Sequence, residues 1–206
     1  MSKSIIITGT DTDIGKTIFA AALTAALGAT YWKPIQAGLA EETDSQLVER
    51  LSGQEILPEA YRLNTPASPH VAAEIDGLEI DLDKLQLPKI SGALIVEGAG
   101  GLMVPVTRQT TYLNIFAKWK APIVLCARTS LGTINHSLLS VFALKNAGCE
   151  ILGIAFIGDE NKDSEQTICE MGQVKRLGRL PRIADLNSEN LSEAFNANFD
   201  IMDFKQ

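Results

Sequence analysis

The stretch IIITGTDTDIGKT ends in Gly15-Lys16-Thr17, a glycine, a lysine and a hydroxyl in the order that closes a phosphate-binding loop. Gly15 lets backbone approach an anion, Lys16 reaches β- and γ-phosphates, and Thr17 offers its hydroxyl to Mg²⁺. The usual G-x-x-x-x-G-K-[ST] spacing asks for glycine at Thr10, whereas the glycine stands one residue earlier, at Gly9. Thr10, Asp11, Thr12 and Asp13 then put side-chain oxygens where many such loops carry glycines. Those oxygens either meet a second reactant beside the γ-phosphate or simply form a turn, as Asp and Thr do without any ligand. Three further charges invite the same question. Lys33, before Pro34, is either a solvated cation or one that neutralises a transferring phosphoryl group. Asp44 opens a helical pattern and serves either the helix dipole or a metal ion. Glu97 follows the apolar run ALIV, where a carboxylate is costly unless it is paired or bound to metal. That is where the acidic Mg²⁺ partner of a phosphate loop belongs.

These residues need strands that end beside one another. Ser4–Thr8 reads as a buried parallel strand, and Lys16–Leu27 as a helix closed by Gly28. Thr30–Ile35 reads as a strand, and TDSQLVERLSG as a short helix with a Thr43-to-Gln46 capping box. Prolines 58, 66, 69 and 88 break residues 54–90 into loops and short pieces, with a helix near Pro69–Ile75. Ala93–Glu97, Pro122–Ala127 and Ile151–Ile157 read as strands, and Ile134–Ala147, Asp163–Leu177 and Ser188–Asn196 as helices. The alternation predicts an α/β fold: a doubly wound, mostly parallel sheet flanked by helices, in a single domain over residues 1–206.

Composition narrows the function classes. The 206 residues are 46% hydrophobic and 21% charged, as in a globular chain. A net charge of −7 disfavours a phosphate backbone, so no nucleic-acid partner is expected. Cys126, Cys149 and Cys169 are too scattered for a metal cluster or a disulfide framework and point to the cytoplasm. No apolar run approaches the ~20 residues of a membrane helix, and the Ile5-Ile6-Ile7 run is too short for a signal-peptide core.

GTDTDIGKT, KPIQAG, TDS, SPH, VEGAGGLMVP and GTINH, in this order over nearly the whole chain, resemble the dethiobiotin synthetase family. The resemblance implies a P-loop NTPase-like fold and a homodimeric, ATP- and Mg²⁺-dependent cyclo-ligase of biotin synthesis. Its reaction closes a ureido ring on 7,8-diaminononanoate with CO₂ or bicarbonate as the carbon source. By the same resemblance Lys16, Lys33 and Thr12 are catalytic, and Thr17, Asp44 and Glu97 bind the metal. Nucleotide contacts are expected from Asp13, Ile14, Gly15, Lys16, Thr17 and Ile18, from Asp44, Glu97, Gly98, Ala99 and Gly100, and from Pro181, Arg182 and Ile183. Lys33, Ala37 and the segment Gly132, Thr133, Ile134, Asn135 are expected on the substrate, the last four reaching the substrate carboxylate of the partner subunit. That segment also precedes a helix, whose N–H groups suit either an anion or ordinary capping.

The chain departs from the family pattern twice. Ala37 stands where the family has a hydroxyl residue, and AFIGDEN lacks a clear adenine-contacting Asn-Asp pair. Two other readings share the loop. An amidating ATPase of the cobyrinate diamide synthase type carries a glutamine-hydrolysing domain, for which 206 residues leave no room. A partition-type ATPase switch carries a lysine near the start of the loop and often a basic tail, whereas this chain has Asp11, Asp13 and an acidic carboxyl-terminal segment.

Overall fold

The computed structural model describes residues 3–205. Strands β1 (Lys3–Gly9), β2 (Thr30–Trp32), β3 (Ile35–Ala37), β4 (Ile56–Leu57) and β5 (Tyr61–Leu63) precede β6 (Ala93–Gly101), β7 (Ile123–Arg128), β8 (Ile151–Ile157) and β9 (Arg176–Leu180). Helices α1 (Lys16–Leu27), α2 (Asp44–Ser52), α3 (Pro69–Ile75), α4 (Tyr112–Trp119), α5 (Thr133–Asn146), α6 (Lys162–Gly172) and α7 (Ser188–Asn198) connect or follow them. Seven strands form one parallel sheet in the order β4-β2-β6-β1-β7-β8-β9, and β3 pairs with β5 in a small parallel ribbon. The chain leaves β1 in one direction to reach β2 and β6, then crosses to β7 on its other side. The carboxyl end of β1 is therefore the point at which the strand order reverses, where open α/β sheets place their ligands.

Alternation along β1 feeds both layers. Ile5 and Ile7 pack with Phe19 and Leu23 of α1 and with Leu191 and Phe195 of α7. Ile6 packs on the other face with Phe116 of α4 and Leu144 of α5. The α1–α7 layer is closed by aromatics: Phe195 stacks on Phe199 at 4.8 Å, and both meet Phe19 and Phe204. Each such fully buried ring is worth about 1.5–3 kcal/mol in removal from water.

Several elements differ from the sequence expectation. Thr30–Ile35 is not one strand: Pro34 has no N–H to give a ladder, so β2 stops at Trp32 and Lys33 occupies the break before β3. The helix expected over Asp163–Leu177 stops at Gly172, because Gln173 takes a left-handed conformation (φ 47°) and the chain turns into β9. Helix α4 lies in a segment given no element from sequence; Thr111 and Asn114 cap it reciprocally. Strand β6 runs on through the glycines to Gly101. No helix among the described residues is long and apolar enough to cross a membrane.

Candidate active site

The loop between β1 and α1 explains the displaced glycine. A β-carbon at Gly9 would fall 2.6 Å from Ile14 Cδ1 and 2.8 Å from Lys16 Cδ, so a bare backbone there admits the lysine stem folding back over the strand end. Lys16 is buried and its Nζ donates to the Asp11 carbonyl at 2.6 Å. Gly15 has φ 92°, and a β-carbon on it would press on Ile157 Cγ2 at 2.9 Å. Both the conformation and the close approach therefore require glycine. Asp13 also lies at positive φ (54°), which an Asp tolerates better than most residues. Thr12 is exposed, and its N–H donates to Asp11 Oδ1 at 2.8 Å.

The four residues singled out by charge or hydroxyl beyond the loop lysine meet just past the end of β2, at the middle of β6 and at the starts of α1 and α2. Thr17 Oγ1 lies 2.8 Å from Asp44 Oδ1 and 2.9 Å from Glu97 Oε1. One hydroxyl has one proton to give, so it serves only one of these carboxylates at a time. Lys33 Nζ lies 2.5 Å from Asp44 Oδ2 and 3.2 Å from Glu97 Oε1. Burial alone would lower the Lys33 pKa, but Glu97 and Asp44 outweigh it and hold the ammonium above its ordinary value. Burial would raise Asp44, but the charge and hydrogen bond of Lys33 and the Thr17 hydroxyl hold it below the usual carboxylate range. Lys16 is pushed down, first by burial, with Glu97 opposing and Lys33 adding to the shift.

Each carboxylate is fixed from behind. Thr43 and Gln46 close the capping box, which sets the start of α2, and the Asp44 N–H donates to Gln36 Oε1 at 3.3 Å. Fully buried Tyr31 donates its hydroxyl to Glu97 Oε2 at 2.9 Å. Burial, then Glu97, pushes the Tyr31 phenol well above its ordinary pKa, so it stays a donor. The three oxygens of Thr17, Asp44 and Glu97 form a hard donor set that fits Mg²⁺. That ion takes one or two carboxylates and completes its shell with phosphates and water.

A cleft of about 970 Å³ opens over these groups. Thr12, Asp13, Gly15, Lys16, Thr17, Ile18, Lys33, Ala37, Asp44, Glu97, Ala99 and Gly100 all line it, with Ser68 and Pro69 on its far wall. His70 binds Ser68 Oγ and the Pro105 carbonyl through Nδ1, as a loop-fixing residue does. Buried Ile14 and Gly98 are not lining residues, and neither are Gly132, Thr133, Ile134, Asn135 or Pro181, Arg182 and Ile183. Gly132 is the N-cap of α5 and makes no side-chain cap. The Pro181–Ile183 segment lies beside the turn after β8 instead: Arg182 lies 3.8 Å from Asp159, and Arg179 of the preceding β9 donates to the Gly158 carbonyl at 2.9 Å.

Sequence reasoning passed over three residues of this region. Tyr31 and Gln36 reveal themselves only through contacts across the chain. Arg128, at the end of β7, reaches to 3.7 Å from Asp11 Oδ2, and its buried Nε has no hydrogen-bond partner.

A protein-family model described as an AAA domain matches residues 3–190. ATP-dependent dethiobiotin synthetase BioD of Rhodopseudomonas palustris (strain TIE-1) is 63% identical to this chain over 207 residues, covering 99% of this chain and 98% of that protein. The protein so described from Nitrobacter hamburgensis is 61% identical over 207 residues, with 99% and 98% covered. Among solved structures, the septum site-determining protein MinD of Pyrococcus horikoshii, complexed with Mg-ADP, superposes with a TM-score of 0.56 at 18% identity, over 100% of this chain and 89% of that one. That likeness concerns the fold.

Proposed function

The chain belongs to the ATP-dependent dethiobiotin synthetase family, and from that membership we propose how its residues divide the work. It is an ATP-dependent ligase of biotin synthesis. The observation that supports the division is the meeting of Lys16, Thr17, Lys33, Asp44 and Glu97 in one cleft at the sheet's switch point. One amine of 7,8-diaminononanoate takes up CO₂, releasing a proton and leaving a carbamate. The carbamate oxygen attacks the γ-phosphorus in line, ADP departs, and a carbamic–phosphoric anhydride remains. The second amine attacks its carbonyl, phosphate leaves, and the ureido ring is closed. No protein nucleophile is needed; the difficulty is that two anions must approach.

Lys16 binds the β- and γ-phosphates, and Lys33 offsets charge that develops between carbamate and γ-phosphate. Thr12 presents its hydroxyl to the carbamate. Thr17, Asp44 and Glu97 would hold Mg²⁺, which would supply positive charge against the phosphates. Residues 181–183 beside Gly158 and Asp159 form the wall for the base. Ala37 brings no hydroxyl to the cleft, so its contact to substrate is made by backbone.

We also assign a homodimer with shared sites. Gly132–Asn135 lie outside the cleft of their own chain. Asn135, Leu139 and Phe142 share one exposed face of α5, and Leu131 just before it is fully exposed. An exposed apolar face of this kind marks an interface. We place the enzyme in the cytoplasm as one domain; its three cysteines are free thiols.

The direct test supplies Mg²⁺-ATP, bicarbonate and 7,8-diaminononanoate and seeks dethiobiotin by mass. Product is expected only with all three present. ATP hydrolysis without the diamine, and no product, would assign the chain to the switch ATPases instead. A substitution probes the support behind the proposed metal. Tyr31→Phe strips Glu97 Oε2 of its donor, and metal affinity is expected to fall about tenfold, the usual scale for such outer partners. Titration of the ADP complex with Mn²⁺ reads this; an unchanged affinity would make Tyr31 a packing residue only.

A further inference from the structure

Lys33 and the proposed metal draw on the same oxygens. Glu97 Oε1 lies within 2.9 Å of Thr17 Oγ1 and 3.2 Å of Lys33 Nζ, while Glu97 Oε2 is taken by Tyr31. Asp44 splits likewise: Oδ1 faces Thr17 at 2.8 Å and Oδ2 faces Lys33 at 2.5 Å. An ion held by Glu97 would draw on the same Oε1. It would share that oxygen and the Asp44 carboxylate with an ammonium already bound there. Two cations so close repel, and in a buried site the repulsion is poorly screened.

We propose that Lys33 is a built-in competitor for the cation held by Asp44 and Glu97, so that loading the metal drives its ammonium off the carboxylates and towards the reacting phosphoryl group.

The partners differ in their freedom to yield. Glu97 is held on β6 by Tyr31, and Thr17 sits in the first turn of α1. Asp44 is set by a closed capping box. Lys33 alone combines a flexible four-carbon stem with a position at a strand break. It also lines the cleft, so its head has a place to go. The exchange makes the cation that serves phosphoryl transfer available once the metal is in place, and it lowers the affinity of the nucleotide-free protein for metal. The inference rests on the metal assignment of Thr17, Asp44 and Glu97 and deepens it.

Mn²⁺ binding to the nucleotide-free protein, followed by electron paramagnetic resonance, reads the competition without any turnover. Lys33→Met is expected to bind Mn²⁺ about tenfold more tightly than the wild type, although it has lost its catalytic lysine. Lys33→Arg, which keeps the charge, is expected to stay near the wild type. Lys33→Gln, neutral and polar, gives the same comparison if the methionine variant does not fold. Asp44→Asn is the control for the site and is expected to lose Mn²⁺. If Asp44→Asn loses the ion while the neutral Lys33 variants bind it no more tightly than wild type, the competition is overturned and the metal assignment stands. If Asp44→Asn leaves Mn²⁺ binding unchanged, the metal assignment itself fails and the competition with it.

Discussion

Lys33→Ala is expected to cut the rate of ring closure by about 10²–10³ while leaving Mg²⁺-ATP affinity undiminished, and Lys16→Ala to lose nucleotide affinity and rate together. The difference follows from where each ammonium meets charge. The Lys16 stem is buried over Gly9 and its head lies inside the loop, which on the proposed assignment would put it against phosphates in the ground state as well as in the transition state. Lys33 comes from the break between β2 and β3 and approaches from the Asp44–Glu97 side, where the proposed reaction would bring the negative charges of the carbamate and the transferring group together. Removing Lys33 also leaves two carboxylates facing one another, so both variants are compared with Mg²⁺ present. Turnover is followed by dethiobiotin formation, and nucleotide affinity by fluorescence titration. Equal losses of nucleotide affinity in both variants, with no separate rate defect for Lys33→Ala, would refute the division.

The elements that hold these residues were legible to different degrees, for physical reasons. Lys16–Leu27 and Ile151–Ile157 carry clear apolar patterns and clear stops, and the chain forms those elements with those bounds; the helix expected only near Pro69–Ile75, in a stretch broken by prolines, also forms there. The capping box at Thr43 was readable because both partners lie within one turn. β9 was hidden because RLGRL, with two arginines and a glycine, lacks the β-branched run of a buried strand; it lies at the sheet edge. α4 spans only eight residues, and its capping Asn114 is not the Glu or Gln of the common pattern. At the site, the chemical residues could be singled out because charge at a strand end is conspicuous. Their supports could not. Tyr31 reads as a core aromatic, and its bond to Glu97 joins residues 66 positions apart. Nor does the sequence disclose that Lys33 lies between Asp44 and Glu97, since that contact depends on β2 and β6 being neighbours in the sheet.

A mixture of two inactive chains is expected to regain about a quarter of wild-type activity per site. One chain carries Lys16→Ala, which disables its phosphate loop. The other carries Asn135→Glu, which sets a negative charge where the substrate carboxylate would rest. Glutamate in the first turn favours a helix, so this change repels the ligand without loosening α5. In a symmetric dimer with shared sites, each site joins the loop of one chain to the α5 start of the other. A hybrid therefore contains one doubly damaged site and one intact site. Random exchange makes about half of the dimers hybrid, and half of their sites work, which gives about one quarter. The location of Asn135 on the exposed α5 face, outside the cleft formed by its own chain, favours this arrangement. Subunits must first be exchanged, and native mass spectrometry must show the hybrid. Hybrids without activity would place the whole substrate site within one chain. The exposed Leu139 and Phe142 face would then need a role unconnected with the substrate tail.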